Sequence, residues 1–258
     1  MHPFPADLNQ EVINCPIPNY QISDMLPLKD DQPNYSTPFV NWFLIALNIL
    51  IYFFQWTLGP RGDQAFVRIY GEVPAHLMAF LSGTSHYTLR DVTVPFFTSM
   101  FLHGSWMHVI FNMWGLYIFG DNVEDYLGHF KYLIFYLIAG LLAMATQVAI
   151  YPNSNIPTVG ASGAIAGVMG AYFVTYPRAK VLTWIFELVF VVIWLPAWVI
   201  LGYWFFLNIL SGTETALTVH RQNMGGVAVW AHVGGFVAGM IMIKLFKERR
   251  QRSPYAYR

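Results

Sequence analysis

Six stretches of this chain are apolar for long enough to cross a bilayer, and most of the charged residues fall between them. A hydrocarbon core takes about 20 mostly apolar residues in helical form. The stretches cover residues 39–58, 95–119, 132–151, 159–176, 181–210 and 227–246. The fifth is long for one crossing and contains Pro196, so it is expected to tilt, kink at that proline or extend past the lipid. The pattern predicts an all-α membrane protein with a six-transmembrane-helix bundle over residues 38–246. Residues 1–37 are polar and rich in proline and acid, and read as a mobile cytoplasmic extension. Residues 247–258 read as a basic cytoplasmic tail. Residues 59–94 form the longest internal loop, and "YGEVPAHLMAFL" within it is apolar enough to lie in the interface.

Composition points the same way. Of 258 residues, 56% are hydrophobic and only 11% charged, against about 25% charged in a soluble domain. The net charge is zero, and the one basic run, "KLFKERRQR", lies beside a hydrophobic segment, so no nucleic-acid partner is expected. The single cysteine, Cys15, excludes an internal disulfide and a cysteine-based metal site. The first residues lack the basic and apolar regions of a secretory signal. Lys and Arg side chains set orientation. With the N-terminus cytoplasmic, ten lie inside and four (Arg61, Arg68, Arg90 and Arg221) outside; six of the ten are C-terminal. Both termini are therefore placed in the cytoplasm.

Ionisable and amide groups within such segments are rare and costly. The second segment carries His103, His108 and Asn112, the fourth opens on Ser162, and the sixth carries His232. His108 and Asn112 share a helical face, whereas His103 lies about 140° round from His108. Segments two, four and six enter from the outer side in this topology, so all these groups can converge in the outer half. Gly163, Gly167 and Gly170 form a small-residue stripe beside Ser162; Gly235 and Gly239 form one beside His232. Such stripes let helix backbones approach closely. A serine hydroxyl needs a base to become a nucleophile, and histidine suits that role. His108 and Asn112 can donate to a developing oxyanion. Taken singly, each residue has a plainer use. A membrane serine commonly bonds its own backbone, Asn112 can bond a neighbouring helix, and Glu124 suits a helix-end or loop bond. No HExxH pattern or intramembrane carboxylate accompanies the histidines, so no metal is expected.

Together the residues are more specific. Gly160-Ala161-Ser162-Gly163 resembles the GxSG motif of the rhomboid intramembrane serine proteases. His103, His108 and Asn112 match that family's H-x4-H-x3-N, "AHVGGFVAG" is similar to its AHxxGxxxG, and "GDNVEDYLGH" resembles the turn after its second helix. The resemblance covers about residues 38–246. It implies Ser162 as nucleophile, His232 as general base, and His108, Asn112 and the Ser162 backbone N–H as the oxyanion hole. Gly160, Gly163, His103, Gly235 and Gly239 become structural support. It implies no cofactor, substrates that are transmembrane proteins in a lipid bilayer, and a bacterial inner-membrane setting. It also implies access near helices two and five, beneath a cap formed here by "SGTETALTVHRQNMGG". There are two departures. The family's frequent tyrosine four residues after the nucleophile is Ala166, so His232 needs another support, and "YTLRDV" gives Arg90 no direct match to a first-loop Trp-Arg pair. An inactive rhomboid-like client-binding protein and a small transporter are the alternatives. Substrate identity and oligomeric state do not follow.

Overall fold

Polar residues on a helix that faces lipid must point inward, and the first long helix is built that way. A computed structural model describes residues 25–185, 191–217 and 228–246. Residues 1–24 of the expected extension, 218–226 of the expected cap, Val227 of the sixth stretch and the whole basic tail lie outside the described residues. The helices are α1 (Phe39–Thr57), α2 (Gly59–Tyr70), α3 (Pro74–Leu81), α4 (Leu89–Thr98), α5 (Trp106–Leu127), α6 (His129–Ile150), α7 (Ser162–Thr175), α8 (Ala197–Leu217) and α9 (Val229–Leu245). The strands are β1 (Met25–Asp30), β2 (Lys180–Ile185) and β3 (Val191–Pro196). On α1, Asn41, Asn48 and Gln55 are buried, while Trp42, Phe43, Leu50, Phe53 and Trp56 are exposed. The inward amides have partners: Asn41 donates to the Leu116 carbonyl at 3.0 Å and accepts from the Tyr132 hydroxyl at 2.8 Å. Gln55 exchanges two bonds with the backbone of His103, at 3.0 and 3.1 Å.

α7 is the centre of the bundle, packed against α5, α6, α8 and α9. Every residue from Gly163 to Tyr172 is buried. Its 14 residues reach only about 21 Å. Among the described residues, α1 and α6 are long and apolar enough to cross a membrane by length and composition, and α7 and α9 are shorter apolar helices. The α7–α9 contact is backbone on backbone. A Cβ at Gly235 would run into the carbonyl of Gly163, and one at Gly239 into the carbonyl of Gly167. On the side facing α6, a Cβ at Gly163 would stand 2.7 Å from the Ala143 methyl.

The all-α expectation is corrected in three places. The stretch 181–210 is not one helix: β2 and β3 pair antiparallel, residues 186–190 lie outside the described residues, and α8 begins directly after Pro196. Proline has no N–H for a helix interior and suits a boundary. Secondly, residues 25–37 are not loose. β1 pairs antiparallel with β2 to complete a three-stranded sheet of order β1-β2-β3. Asn34 and Ser36 bond Asp121 and Asp125 at 2.5 Å each, and Trp114 donates to the Pro27 carbonyl at 2.7 Å. Glu124 accepts from the backbone N–H groups of Val40 and Asn41 at 3.0 and 2.7 Å, which satisfies the first turn of α1. Thirdly, the second apolar segment is broken: α4 runs into a 3-10 turn at Ser99–Phe101, and α5 starts only at Trp106.

Candidate active site

Ser162 is the first residue of α7, after Ala161 at the N-cap. Backbone N–H groups in that first turn have no acceptor within the helix. Gly160 sits at φ +129°, a conformation that residues with a Cβ rarely adopt, and its N–H donates to the Ser99 carbonyl at 2.9 Å. A Cβ there would fall 2.8 Å from His108 Nε2 and 3.5 Å from Ser162 Oγ. The imidazole and the hydroxyl therefore flank one bare stretch of backbone.

His108 lies in the first turn of α5, whose N-cap Ser105 accepts from the His108 N–H at 3.1 Å. The Gly104 N–H donates to His108 Nδ1 at 3.4 Å. With Nδ1 accepting, a neutral ring carries its proton on Nε2, the nitrogen beside Gly160. Asn112 follows one turn later on the same face, and its Nδ2 is buried without an acceptor among the described residues. His103 is not on this helix. It lies in the break before α5, held through its backbone by Gln55, with its ring 5.0 Å from that of His108.

His232 is buried in the first turn of α9. Gln147 of α6 accepts from the Ala231 N–H at 3.2 Å and so fixes that turn. His232 Nδ1 lies 2.8 Å from Asn208 Oδ1, and the Trp204 ring is 5.6 Å away at an angle of 33°. Asn208 in turn donates through Nδ2 to the Trp204 carbonyl at 2.8 Å. Both α8 residues escaped the reading of the sequence. The available signal was a lone amide in an apolar segment. Ala166 is wholly buried in the core, and the aromatic ring beside His232 comes from Trp204 instead. The described hydrogen bonds do not include one between Ser162 Oγ and His232; the residues next to them face each other, a Cβ at Gly163 standing 3.8 Å from the Ala231 methyl. Arg90 is exposed in the first turn of α4. Among the described residues, no group of three or more His, Cys, Asp or Glu could hold a metal ion.

The long loop of residues 59–94 is tied to this site. Glu72, between α2 and α3, exchanges backbone bonds of 3.1 and 2.7 Å with Thr158, two residues before Gly160. Its side chain is buried, and that burial pushes its carboxyl up to about 7.

The sequence matches known proteins across this region. It is 23% identical to the chloroplastic Rhomboid-like protein 11 of Arabidopsis thaliana, over 95% of this chain and 79% of that one. It is 30% identical to Rhomboid protease AarA of Providencia stuartii, over 50% of this chain and 47% of that one. It is 26% identical to the human mitochondrial Presenilin-associated rhomboid-like protein, over 76% of this chain and 45% of that one. The chain thus spans most of the first relative and about half of the other two. A family model described as the Rhomboid domain matches residues 90–249, a stretch that contains Ser162, His232, His108 and Asn112. With more than half of its length so matched, and with a mostly helical fold built around those residues, the chain belongs to the membrane-embedded rhomboid family.

Proposed function

We propose that the chain is an active intramembrane serine endopeptidase, cutting peptide bonds in or near the transmembrane segment of membrane-protein substrates. The observation that carries this reading is the bare backbone at Gly160, flanked by Ser162 Oγ and His108 Nε2 at the start of α7. Ser162 is the nucleophile and His232 the general base. Oγ attacks the scissile carbonyl carbon, its proton passes to His232 Nε2, and the carbonyl oxygen becomes an oxyanion. His108 Nε2–H, Asn112 Nδ2–H and the Ser162 backbone N–H donate to that oxyanion. The C–N bond then breaks, the proton moves from His232 to the leaving amine, and water hydrolyses the acyl-serine ester by the same route. His103, Gly160, Gly163, Gly235 and Gly239 hold these groups in place. The scheme calls on no metal or cofactor.

In this reading α1, α5, α6, α7, α8 and α9 make the six crossings, with both termini in the cytoplasm. The β-sheet then lies on the inner side and the serine in the outer half. α5 packs on α1, α6 and α7, whereas α8 packs on α7 and α9, so substrate approaches between α5 and α8. The setting is a bacterial inner membrane; the chemistry is indifferent to the compartment.

Cleavage of a single-span model substrate by purified protein in detergent tests the proposal. Wild type is expected to cut, and Ser162→Ala and His232→Ala to lose at least about 10³-fold in rate. Equal cleavage by all three, or no cleavage of several substrates by folded wild type, overturns it in favour of an inactive client-holding protein.

A further inference from the structure

We propose that Asn208 of α8 is a positioning residue for His232: its Oδ1 holds the imidazole in the tautomer that leaves Nε2 free to act as base. This rests on the Ser162–His232 chemistry proposed above. The argument follows the donors and acceptors. A side-chain amide accepts through oxygen and donates through nitrogen. Asn208 Nδ2 is committed to the Trp204 carbonyl at 2.8 Å. The flipped amide would set oxygen against oxygen there. Oδ1 is therefore the atom facing His232 Nδ1 at 2.8 Å, and Nδ1 must be the donor. A neutral ring with its proton on Nδ1 has its lone pair on Nε2.

The bond persists through the reaction. When Nε2 takes the serine proton, Nδ1–H still donates to Oδ1, now as a charge-assisted bond. Both residues are 9% exposed, so the contact is shielded from water. Trp204 lies one helical turn before Asn208 and serves twice: its carbonyl orients the amide and its ring lies beside the imidazole. The two histidines of the site are thereby set to opposite tasks. The Gly104 N–H makes His108 a donor at Nε2, and Asn208 makes His232 an acceptor at Nε2.

The test compares Asn208→Leu, Asn208→Asp and Asn208→Gln with wild type. Leu removes the acceptor, Asp keeps an oxygen against Nδ1 but turns its second oxygen on the Trp204 carbonyl, and Gln displaces the acceptor by one methylene. Asn208→Leu and Asn208→Gln are expected to lose about 10²-fold in kcat with KM changed less than about 2-fold, and Asn208→Asp to return to within about 10-fold of wild type. Nitrogen NMR of protein labelled at histidine nitrogens, with His232 assigned against His232→Ala, reads the tautomer without any substrate. Wild type and Asn208→Asp should show a protonated Nδ1 and a bare Nε2, and Asn208→Leu a mixture. Should Asn208→Leu fail to fold, the Asp and Gln variants carry the comparison. Wild-type kcat in Asn208→Leu or Asn208→Gln, an effect confined to KM, or an unchanged His232 tautomer overturns the proposal while leaving the protease reading intact. A wild type that cuts nothing overturns the protease reading, and the NMR result still decides whether Asn208 sets the tautomer.

Discussion

Glu72 carries a buried carboxyl on a backbone that is paired with the approach to Gly160. Burial raises that carboxyl from 4.5 to about 7. The folded protein therefore holds a proton that the unfolded chain releases, and the contribution of this group falls as pH rises from 4.5 toward 7. Thermal unfolding followed across that range should show the loss in wild type and a flatter profile in Glu72→Gln. A wild-type profile that Glu72→Gln leaves unchanged would put the pH dependence elsewhere. At this scale the sequence was readable where a polar group interrupts an apolar run within a local motif. Ser162, His108, Asn112 and His232 stand out that way. Asn208 is as polar as Asn112, but its meaning depends on a partner 24 residues away on another helix. His103 misled because the apolar run before it continues after Ser105, although Gly104 and the N-cap Ser105 mark the break.

Between elements, the α7–α9 seam has no room for a side chain. Overpacking a tight interior costs about 1–3 kcal/mol, and more where backbone must move. Gly239→Ala and Gly235→Ala press a methyl on the Gly167 and Gly163 carbonyls respectively. Both are expected to lower the thermal midpoint, and Gly235→Ala, closer to Ser162, to lower the cleavage rate as well. Unchanged melting in both would mean that the helices can separate without cost. The glycine spacing made this seam legible from sequence. The β2–β3 pairing was not, because a run that is apolar apart from Thr183 and Glu187 has no clear period to separate strand from helix. The signals were there in the β-branched residues Val181, Thr183, Ile185, Val191, Val192 and Ile193, ending at Pro196.

At the level of the whole molecule, the segment before α1 ties the sheet to the bundle. β1 completes the sheet, Tyr172 of α7 donates to Asp30, and the acidic turn of α5 holds Asn34 and Ser36. Deleting residues 1–30 is expected to lower the thermal midpoint by about 5 °C while cleavage in the cold stays near wild type. Loss of cleavage at full stability would assign this segment to the reaction. The shortness of α7 has a consequence for substrates. If Thr175 marks the inner boundary of a hydrocarbon core about 30 Å thick, a helix of about 21 Å leaves Ser162 about 9 Å below the outer boundary. The reaction then has a fixed depth. A client is measured by how many residues separate its outer boundary from the bond presented, about six for an intact helix. Adding leucines to the outer end of a client's span should move the cut toward that end of its sequence, and a thicker bilayer, which sinks Ser162 further below the outer boundary, should move it the opposite way.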